Sequence, residues 1–414
     1  MSRADHADLT SHDAFVNGVP HDTFTALRRD DPVSWCEEDD GKGCWSITRY
    51  QDIFDINKDY KTFSSAHGVR LEEMDEEESE ARRSMLETDP PEHTRLRHLV
   101  GRSFGPQVVA TYEDAIRGIA ENLLDHAASH DEFDFVQSVS RPLPMRMLGR
   151  LLGVPDSDGQ MLVELGDMMI ANTDEDFTDH VVDQVDTEEW RLLPFRSPAA
   201  LKVFEYAEEA AHERREHPTE DLINLLLSPD RKGERLSELE FKNFFALMVS
   251  AGNDTTRYTM TYAIKELIDR PELLDELREL DDAGWKLAVE EFLRWASVTM
   301  HFRRTAVRDV EVQGKQIKAG DKLLLWFVSG NRDEDKFDSP FDLNIRREPN
   351  PHMTFGKGGP HSCLGMWLAR MEVKVLLQEF VERAATVEQT EPHAYLRSNF
   401  ISGIKRLPIS VEWR

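Results

Sequence analysis

The sequence predicts a mainly α-helical protein with small β-sheets. A long apolar segment from about Ser237 to Asp269 and an apolar helical pattern after Cys363 predict two core helices. Short strand-like segments separated by glycine turns lie between residues 309 and 327. Because the 414 residues contain no internal repeat and no low-complexity linker, we expect one domain over residues 1–414, with residues 1–30 flexible.

Further elements are expected along the chain. Proline and glycine punctuation separates them, and acidic stretches mark surface segments. They are a hairpin (33–36 and 44–48), an acidic surface segment (71–83), a helix (93–100), several helices (107–230) with a mobile loop (172–189), helices near 199–215 and 284–296, strands (309–312, 316–317, 322–327) and a final strand (407–413).

The middle of the long predicted helix contains an unusual run, Ser-Ala-Gly-Asn-Asp-Thr-Thr, over residues 250–256. A glycine inside a helix costs about 1 kcal/mol relative to alanine, and Asp, Asn and Thr side chains compete for backbone hydrogen bonds. Such a run in a core helix indicates a function. The alternative is a helix-packing notch around Gly252.

Composition and charge exclude several classes of function. The chain has 50 basic and 79 acidic residues and a net charge of −29, which argues against nucleic acid and against an anionic membrane surface. No apolar segment is long enough for a membrane span or a signal peptide. The three cysteines lack the spacing of a zinc site and fit a reducing compartment. We therefore expect a cytoplasmic protein without a membrane anchor.

One cysteine lies at the end of a glycine-rich loop, Phe355 to Gly365, just before the second apolar helix pattern. A helix N-terminus stabilises a thiolate, and glycines allow backbone amides to approach the Cys363 sulfur. By itself this arrangement is also compatible with a buried structural cysteine. The rest of the chain decides between the two interpretations.

Four motifs in fixed order identify a family resemblance. They are His-Thr-Arg-x-Arg (93–97), Ala-Gly-x-Asp-Thr-Thr (251–256), Glu-x-x-Arg (291–294) and the Cys363 loop. From about residue 30 to the C-terminus the chain resembles the cytochrome P450 family, the heme-thiolate monooxygenases. The resemblance implies a triangular, mainly helical fold that binds heme b between the long central helix and the helix after Cys363.

The resemblance also implies roles for individual residues. Cys363 would be the axial thiolate ligand of the iron, which favours cleavage of dioxygen. The residues at propionate-binding positions are His93, Arg97, Arg304 and His361. Asp254 and Thr255 match the catalytic acid–alcohol pair that delivers protons during that cleavage. Glu291 and Arg294 would anchor the loop beneath the heme.

Two departures from the common family pattern are informative. The Cys363 loop is one residue longer than usual, and this loop resembles that of bacterial members that oxidise steroid side chains and branched lipids. The turn over residues 399–405 is similar to those members and to terpene-oxidising ones. Residues 339–342 lack the arginine that usually completes the Glu-x-x-Arg network, so Arg346 or Arg347 is expected to replace it.

The implied pocket predicts a lipophilic substrate, because its members are apolar apart from Thr255. By position it contains Met248, Ala251, Thr255, Met300, Phe302, Phe400 and Ile401. With no cation among them, a terpenoid, steroid or hydrocarbon is favoured over a fatty acid.

Electrons for the reaction with O2 are expected from a separate ferredoxin and ferredoxin reductase, because the chain ends about fifty residues after Cys363 without a flavin domain. The expected docking surface contains Arg95, His98, Arg102 and Lys357, a local positive charge on an acidic protein. A monomer is expected.

Three alternatives within the same resemblance stay open. The first is a heme-thiolate sensor or carrier without oxygenase activity, and the second is a fatty-acid hydroxylase. The third is a peroxide-driven enzyme of the same fold. The intact Asp254–Thr255 pair argues against the sensor, which needs no proton delivery. It also argues against the peroxide-driven enzyme, because such enzymes usually replace the acid–alcohol pair.

Overall fold

The structure is a computed structural model that describes residues 7–38, 42–230 and 232–414. Helices make up about half of the described chain. They are α1 (His21–Asp30), α2 (Tyr50–Lys58), α3 (Glu76–Ala81), α4 (Glu92–Val100), α5 (Pro106–Val109), α6 (Glu113–Ala127), α7 (Pro142–Leu152), α8 (Asp156–Ile170), α9 (Ala199–Glu216), α10 (Leu222–Leu227), α11 (Glu238–Asp269), α12 (Leu273–Arg278), α13 (Asp282–Ala296), α14 (Phe327–Gly330) and α15 (Met366–Arg383).

The strands form small sheets at the edges of the helical body. They are β1 (Val33–Cys36), β2 (Cys44–Ile47), β3 (Phe63–Ser64), β4 (Glu132–Asp134), β5 (His301–Ala306), β6 (Val310–Val312), β7 (Lys315–Ile317), β8 (Lys322–Trp326), β9 (Ala384–Gln389), β10 (Ala394–Tyr395), β11 (Ile404–Arg406) and β12 (Pro408–Trp413). The largest sheet has the order β1-β2-β8-β5-β3, in which only β2 and β8 are parallel among its described strands. The predicted β1–β2 hairpin is confirmed, with Val33 opposite Ile47.

Helix α11 is the central element, as the sequence predicts. Its 32 residues begin after a capping box in which Ser237 and Glu240 exchange side-chain and backbone hydrogen bonds. It ends at Asp269, two residues before Pro271, which disfavours helical backbone in the residue preceding it. Because α11 packs against α7, α8, α9, α13 and α15, most of its circumference is buried.

Gly252 has a packing role within α11, which supports the notch interpretation for this residue. A Cβ atom at Gly252 would lie 2.9 Å from Cδ2 of Leu148 on α7. The helix stays continuous across this run. Glycine therefore allows α7 to approach α11 closely, and the functional interpretation rests on the neighbouring polar residues.

The segment expected to be flexible is packed where the structure describes it. Phe15 and Phe24 are buried, and their ring centroids lie 6.1 Å and 5.1 Å from that of Trp326 on β8. Residues 7–30 thus cover the large sheet, whereas residues 1–6 of that segment lie outside the described residues. Within the described chain, no helix has both the length and the apolar character needed to cross a membrane.

Candidate active site

The loop that carries Cys363 is shaped by the end of helix α2. The side-chain amide of Asn57 donates to the carbonyl oxygens of Gly356 and Lys357, both at 3.1 Å. A Cβ atom on Gly359 would overlap the carbonyl oxygen of Asn57, so this position requires glycine. The Cys363 backbone N–H donates to the Phe355 carbonyl oxygen at 2.9 Å. Asn57, which has no distinguishing motif in the sequence, therefore holds the loop in place.

A cavity with about 1350 Å³ of empty space, called here the Cys363 cavity, lies between α11 and the start of α15. It brings together residues from three of the four sequence motifs. Among the predicted site residues it is lined by His93, Arg97, Met248, Ala251, Thr255, Phe302, His361 and Cys363.

The ring nitrogens of two histidines at this cavity, His93 and His361, lack hydrogen-bond partners. The ring centroids of His93 and His361 lie 4.1 Å apart, and none of their four buried ring nitrogens forms a hydrogen bond of normal geometry. Burial, reinforced by Arg97 and Arg304 respectively, lowers the pKa of His93 to about 4 and that of His361 to about 2. Buried polar groups are expected to have partners, and cations nearby favour anionic ones. This donor set fits the two propionate carboxylates of heme.

Arg304 lies next to this pair and is not among the residues that line the cavity. Its Nη1 donates to the Arg303 carbonyl oxygen and its Nη2 to Oδ1 of Asn57, each at 2.8 Å. Burial lowers the pKa of Arg304 to about 10. In the structure Arg304 therefore connects β5 to Asn57 and places positive charge near both histidines.

The thiol of Cys363 borders the cavity. Its surface is exposed to the cavity, but its depth within the protein raises its pKa, while the Gly365 backbone N–H, Arg97 and Arg370 act in the opposite direction. The guanidinium of Arg370 lies over the ring of Phe355, 4.5 Å from its centroid, and so stays close to the loop. Coordination of a metal cation favours the thiolate strongly, so these groups fit an axial ligand.

Thr255 and Asp254 are neighbours in sequence but have different surroundings. Thr255 lines the cavity, and its Oγ1 donates to the Ala251 carbonyl oxygen at 3.2 Å. Asp254 is buried away from the cavity lining and forms an ion pair with Arg257 at 2.9 Å. Its Oδ2 has no hydrogen-bond partner. Of the predicted acid–alcohol pair, the Thr255 hydroxyl therefore lies at the cavity, whereas the Asp254 carboxylate is buried outside its lining.

The buried acid belongs to a charge network that the sequence did not predict. Arg257 also pairs with Asp167 of α8 at 2.9 Å, and Asp167 pairs with Arg141 at 2.8 Å. Burial raises the pKa of Asp254 well above its ordinary value, Arg257 opposes that shift, and Asp167 adds to it. The Arg141 side chain is 21% exposed, so the network reaches the surface.

A second cavity, called here the Phe400 cavity, has about 930 Å³ of empty space and shares Ala251, Thr255 and Phe302 with the Cys363 cavity. Phe400 and Ile401 line it as well. The predicted pocket residues Ala251, Thr255, Phe302, Phe400 and Ile401 are therefore brought together, and Met248 lines only the Cys363 cavity.

Met300 is the exception among the predicted pocket residues. Its backbone N–H donates to the Phe400 carbonyl oxygen at 2.9 Å, while its side chain packs in a core cluster with Phe15 and Trp326. Thr299 lines the cavity instead. The prediction for Met300 is wrong because its side chain fills the core beneath the large sheet.

The sequence also predicts a pocket without cations, and the structure corrects this. Arg70, Glu72, Arg82 and Glu87 line the Phe400 cavity. They come from the segment between β3 and α4, in which the sequence predicts an acidic surface segment over residues 71–83. No local pattern indicates that this segment folds over the substrate side of α11.

Glu372 on α15 is a further residue that the sequence analysis missed. It lines the Cys363 cavity, is 1% exposed, and its Oε1 has no partner. Burial raises its pKa to about 8. The available signal was a carboxylate between two apolar residues, Met371 and Val373, in a helix of the core.

The Glu-x-x-Arg motif forms a buried network. Arg294 donates to both carboxylate oxygens of Glu291 at 2.8 Å, and Nε of Arg347 reaches the same carboxylate at 3.1 Å. Arg346 is exposed. The network is therefore completed by Arg347. The Asn350 side-chain amide also donates to Glu291 at 3.0 Å, which connects the network to the segment just before the Cys363 loop.

Comparison with known proteins adds to this geometry. The family model "Cytochrome P450" matches residues 16–282 and 286–411. The methyl-branched lipid omega-hydroxylase of Mycobacterium tuberculosis is 35% identical over 406 residues, covering 96% of this chain and 92% of that protein. The steroid C26-monooxygenase of Mycolicibacterium smegmatis is 32% identical over 412 residues, covering 96% and 92% respectively.

Solved structures agree with the sequence comparison. A Mycobacterium marinum cytochrome P450 in complex with pseudoionone matches with a TM-score of 0.86 at 33% identity and covers 94% of each chain. The matches extend over nearly the whole chain and include all four sequence motifs. The chain therefore belongs to the cytochrome P450 family, which binds heme through an axial cysteine thiolate, and is an oxidoreductase of the monooxygenase type.

Proposed function

We propose that this protein inserts one oxygen atom of O2 into a lipophilic small molecule, a steroid, a terpenoid or a related branched lipid. The observation that carries the proposal is the pair of adjoining cavities. One is bordered by Cys363 and the other by Phe400 and Ile401, with Thr255 on both. Relatives named for branched-lipid and steroid oxidation support the substrate class.

Heme b would be held by Cys363 as axial ligand and by His93, Arg97 and His361 at the propionates, with Arg304 adding positive charge behind them. When bound, the heme supplies the activation of dioxygen. Glu291, Arg294 and Arg347 act structurally by fixing the segment before the loop.

We assign proton delivery to Thr255, with Asp254 behind it. The Thr255 hydroxyl donates to Ala251 and leaves its lone pairs free to accept a hydrogen bond from a group in the cavity. Asp254 holds a proton more readily than an ordinary aspartate because it is buried. Arg257, Asp167 and Arg141 position this acid and connect it to the surface.

Electrons would come from a separate ferredoxin and its reductase. His98, Arg102 and Lys357 are exposed and suit an acidic partner. Arg95 is paired with Glu92 at 2.6 Å and Glu240 at 2.8 Å, and we therefore give it a smaller part in docking. We further propose that residues 1–414 act as one cytoplasmic, monomeric domain.

The test is a reconstituted reaction with a ferredoxin, its reductase, NADPH and ¹⁸O₂, offered a 3-oxo steroid and a methyl-branched fatty acid. The proposal expects a hydroxylated product that carries one ¹⁸O atom, and none from Cys363→Ala. Oxygen derived from water would contradict monooxygenation. Heme binding and substrate binding without any product would instead favour a sensor or carrier.

A further inference from the structure

Arg70 occupies an unusual place in the Phe400 cavity. Its guanidinium carbon lies 5.2 Å from the ring centroid of Phe195 and 5.3 Å from that of Phe400. The side chain is only 14% exposed. A cation is therefore held between two aromatic rings in a pocket that is otherwise largely apolar.

Only one of the guanidinium nitrogens of Arg70 has a hydrogen-bond acceptor in the described residues. Nη2 donates to Oδ1 of Asn172 at 3.1 Å, and Nε is 4.0 Å from the nearest oxygen of Glu72, which is beyond hydrogen-bonding distance. Nη1 is buried without a partner. A buried charged donor without an acceptor is costly, and this cost would be offset by an acceptor that enters the cavity.

The arginines near Arg70 form closer ion pairs than Arg70 does. Arg82 pairs with Glu72 at 3.0 Å and with Glu78 at 3.7 Å, and Arg196 pairs with the same Glu78. Arg82 and Arg196 thus each have a carboxylate oxygen within about 3 Å, whereas Arg70 has none within hydrogen-bonding distance. Glu87, which lies in the same cavity, is hydrogen-bonded to Ser84.

The position of Arg70 also indicates how a bound molecule would be oriented. Thr255 lines both cavities, whereas Arg70 lines the Phe400 cavity and is absent from the lining of the Cys363 cavity. A molecule that binds Arg70 at one end would therefore extend its other end into the Cys363 cavity.

We propose that Arg70 is a specificity-determining residue that binds the carboxylate of an amphipathic lipid, whose apolar end is oxidised. The inference rests on the proposed function and refines its substrate class. The unpartnered Nη1 offers a buried donor to an incoming anion, the guanidinium fork suits a carboxylate, and Phe195, Phe302 and Phe400 would pack against the apolar body. It reverses the preference against fatty acids that the apolar residues of the predicted pocket suggest.

The experiment titrates the heme-loaded protein with 15-methylhexadecanoic acid and with its methyl ester, and follows the substrate-induced change of the heme absorption. The acid is expected to bind the wild-type protein at least about tenfold more tightly than the ester. Arg70→Gln should weaken binding of the acid much more than binding of the ester and so remove that advantage, and Arg70→Lys should restore part of it. Arg83→Gln is the matched control, because Arg83 is in the same segment and half exposed.

Three results would overturn the proposal. The first is equal binding of acid and ester by the wild-type protein, which needs no variant and so is independent of folding defects. The second is an acid–ester difference that survives in Arg70→Gln. The third is that Arg70→Gln loses as much affinity for a neutral 3-oxo steroid as for the acid. Arg70 would then bind an uncharged acceptor. A normal thiolate spectrum of the carbon monoxide complex throughout would leave the proposed function intact while the inference fails.

Discussion

At the scale of single residues, the polar groups around the Cys363 cavity differ in how they are partnered. His93 and His361 lack partners, Thr255 has only a weak intrahelical bond, and Asp254 is held in an ion pair. A side chain without an internal partner is available to a ligand, whereas Asp254 must be reached through the groups that hold it. This distinction supports our proposal that the histidines bind the heme propionates and that Thr255 and Asp254 of α11 transfer protons.

Thr255→Ala removes the hydroxyl that borders both cavities. We expect NADPH consumption to continue while product formed per NADPH falls by about tenfold or more, because protons are delivered without control. Thr255→Ser keeps a hydroxyl and should retain most of the coupling. The measurement is the ratio of product to NADPH in the reconstituted system. Unchanged coupling in Thr255→Ala would show that the hydroxyl has no part in proton delivery.

Glu372 should make stability depend on pH. Burial raises its folded-state pKa from 4.5 to about 8, so the folded protein binds more protons than the unfolded chain in this interval. The contribution of Glu372 to stability is present below pH 4.5 and is lost as the pH rises through 8. Relative to wild type, Glu372→Gln should gain about 3 kcal/mol in unfolding free energy between pH 5 and pH 8.

Denaturant unfolding at the two pH values measures this difference. Glu382→Gln is the control, because Glu382 lies on the same helix and is exposed. A gain that is the same at both pH values would mean that Glu372 is not neutral in the folded protein.

At the scale of elements, the Glu291 network joins α13 to the segment that leads into the Cys363 loop. Arg347→Met should lower the free energy of unfolding by about 3 kcal/mol, because it leaves the buried Glu291 carboxylate with one guanidinium fewer. Arg346→Met, at the exposed neighbour, should change it by less than about 0.5 kcal/mol. Urea unfolding of both variants checks this, and equal effects would contradict the assignment of Arg347.

Some helices and strands could be predicted from the sequence and others could not. Helix α11 could be predicted because its apolar pattern, its Ser237 cap and Pro271 act locally. Strand β5 was missed because His-Phe-Arg-Arg-Thr-Ala lacks the alternation of a half-buried strand. Its arginines are buried only because distant groups satisfy them, Glu72 for Arg303 and Asn57 for Arg304.

The candidate site likewise contains residues that the sequence predicts and residues that it does not. The motif residues Cys363, His93, His361 and Thr255 could be predicted because each lies within a short pattern. Arg70 and Asp167 could not, because their roles arise from contacts between segments far apart in the chain, as with Asp167 and Arg257.

At the scale of the whole molecule, a net charge of −29 makes the exposed cations near the Cys363 loop distinctive. Arg102→Glu should slow electron transfer from the ferredoxin and weaken its dependence on salt, since steering between opposite charges is lost. Arg215→Glu, an equal change of charge at an exposed site on α9, should have little effect. Stopped-flow reduction at several ionic strengths gives both quantities, and equal slowing by the two variants would refute a local docking surface.

The central claim is that Cys363 binds heme as a thiolate in the cavity between α11 and α15. It is tested most directly by the absorption spectrum of the dithionite-reduced protein with carbon monoxide. The wild-type protein is expected to show the red-shifted Soret band of thiolate ligation, and Cys363→His is expected to lose it. A wild-type Soret band without that red shift, or a red-shifted band that survives in Cys363→His, would contradict it.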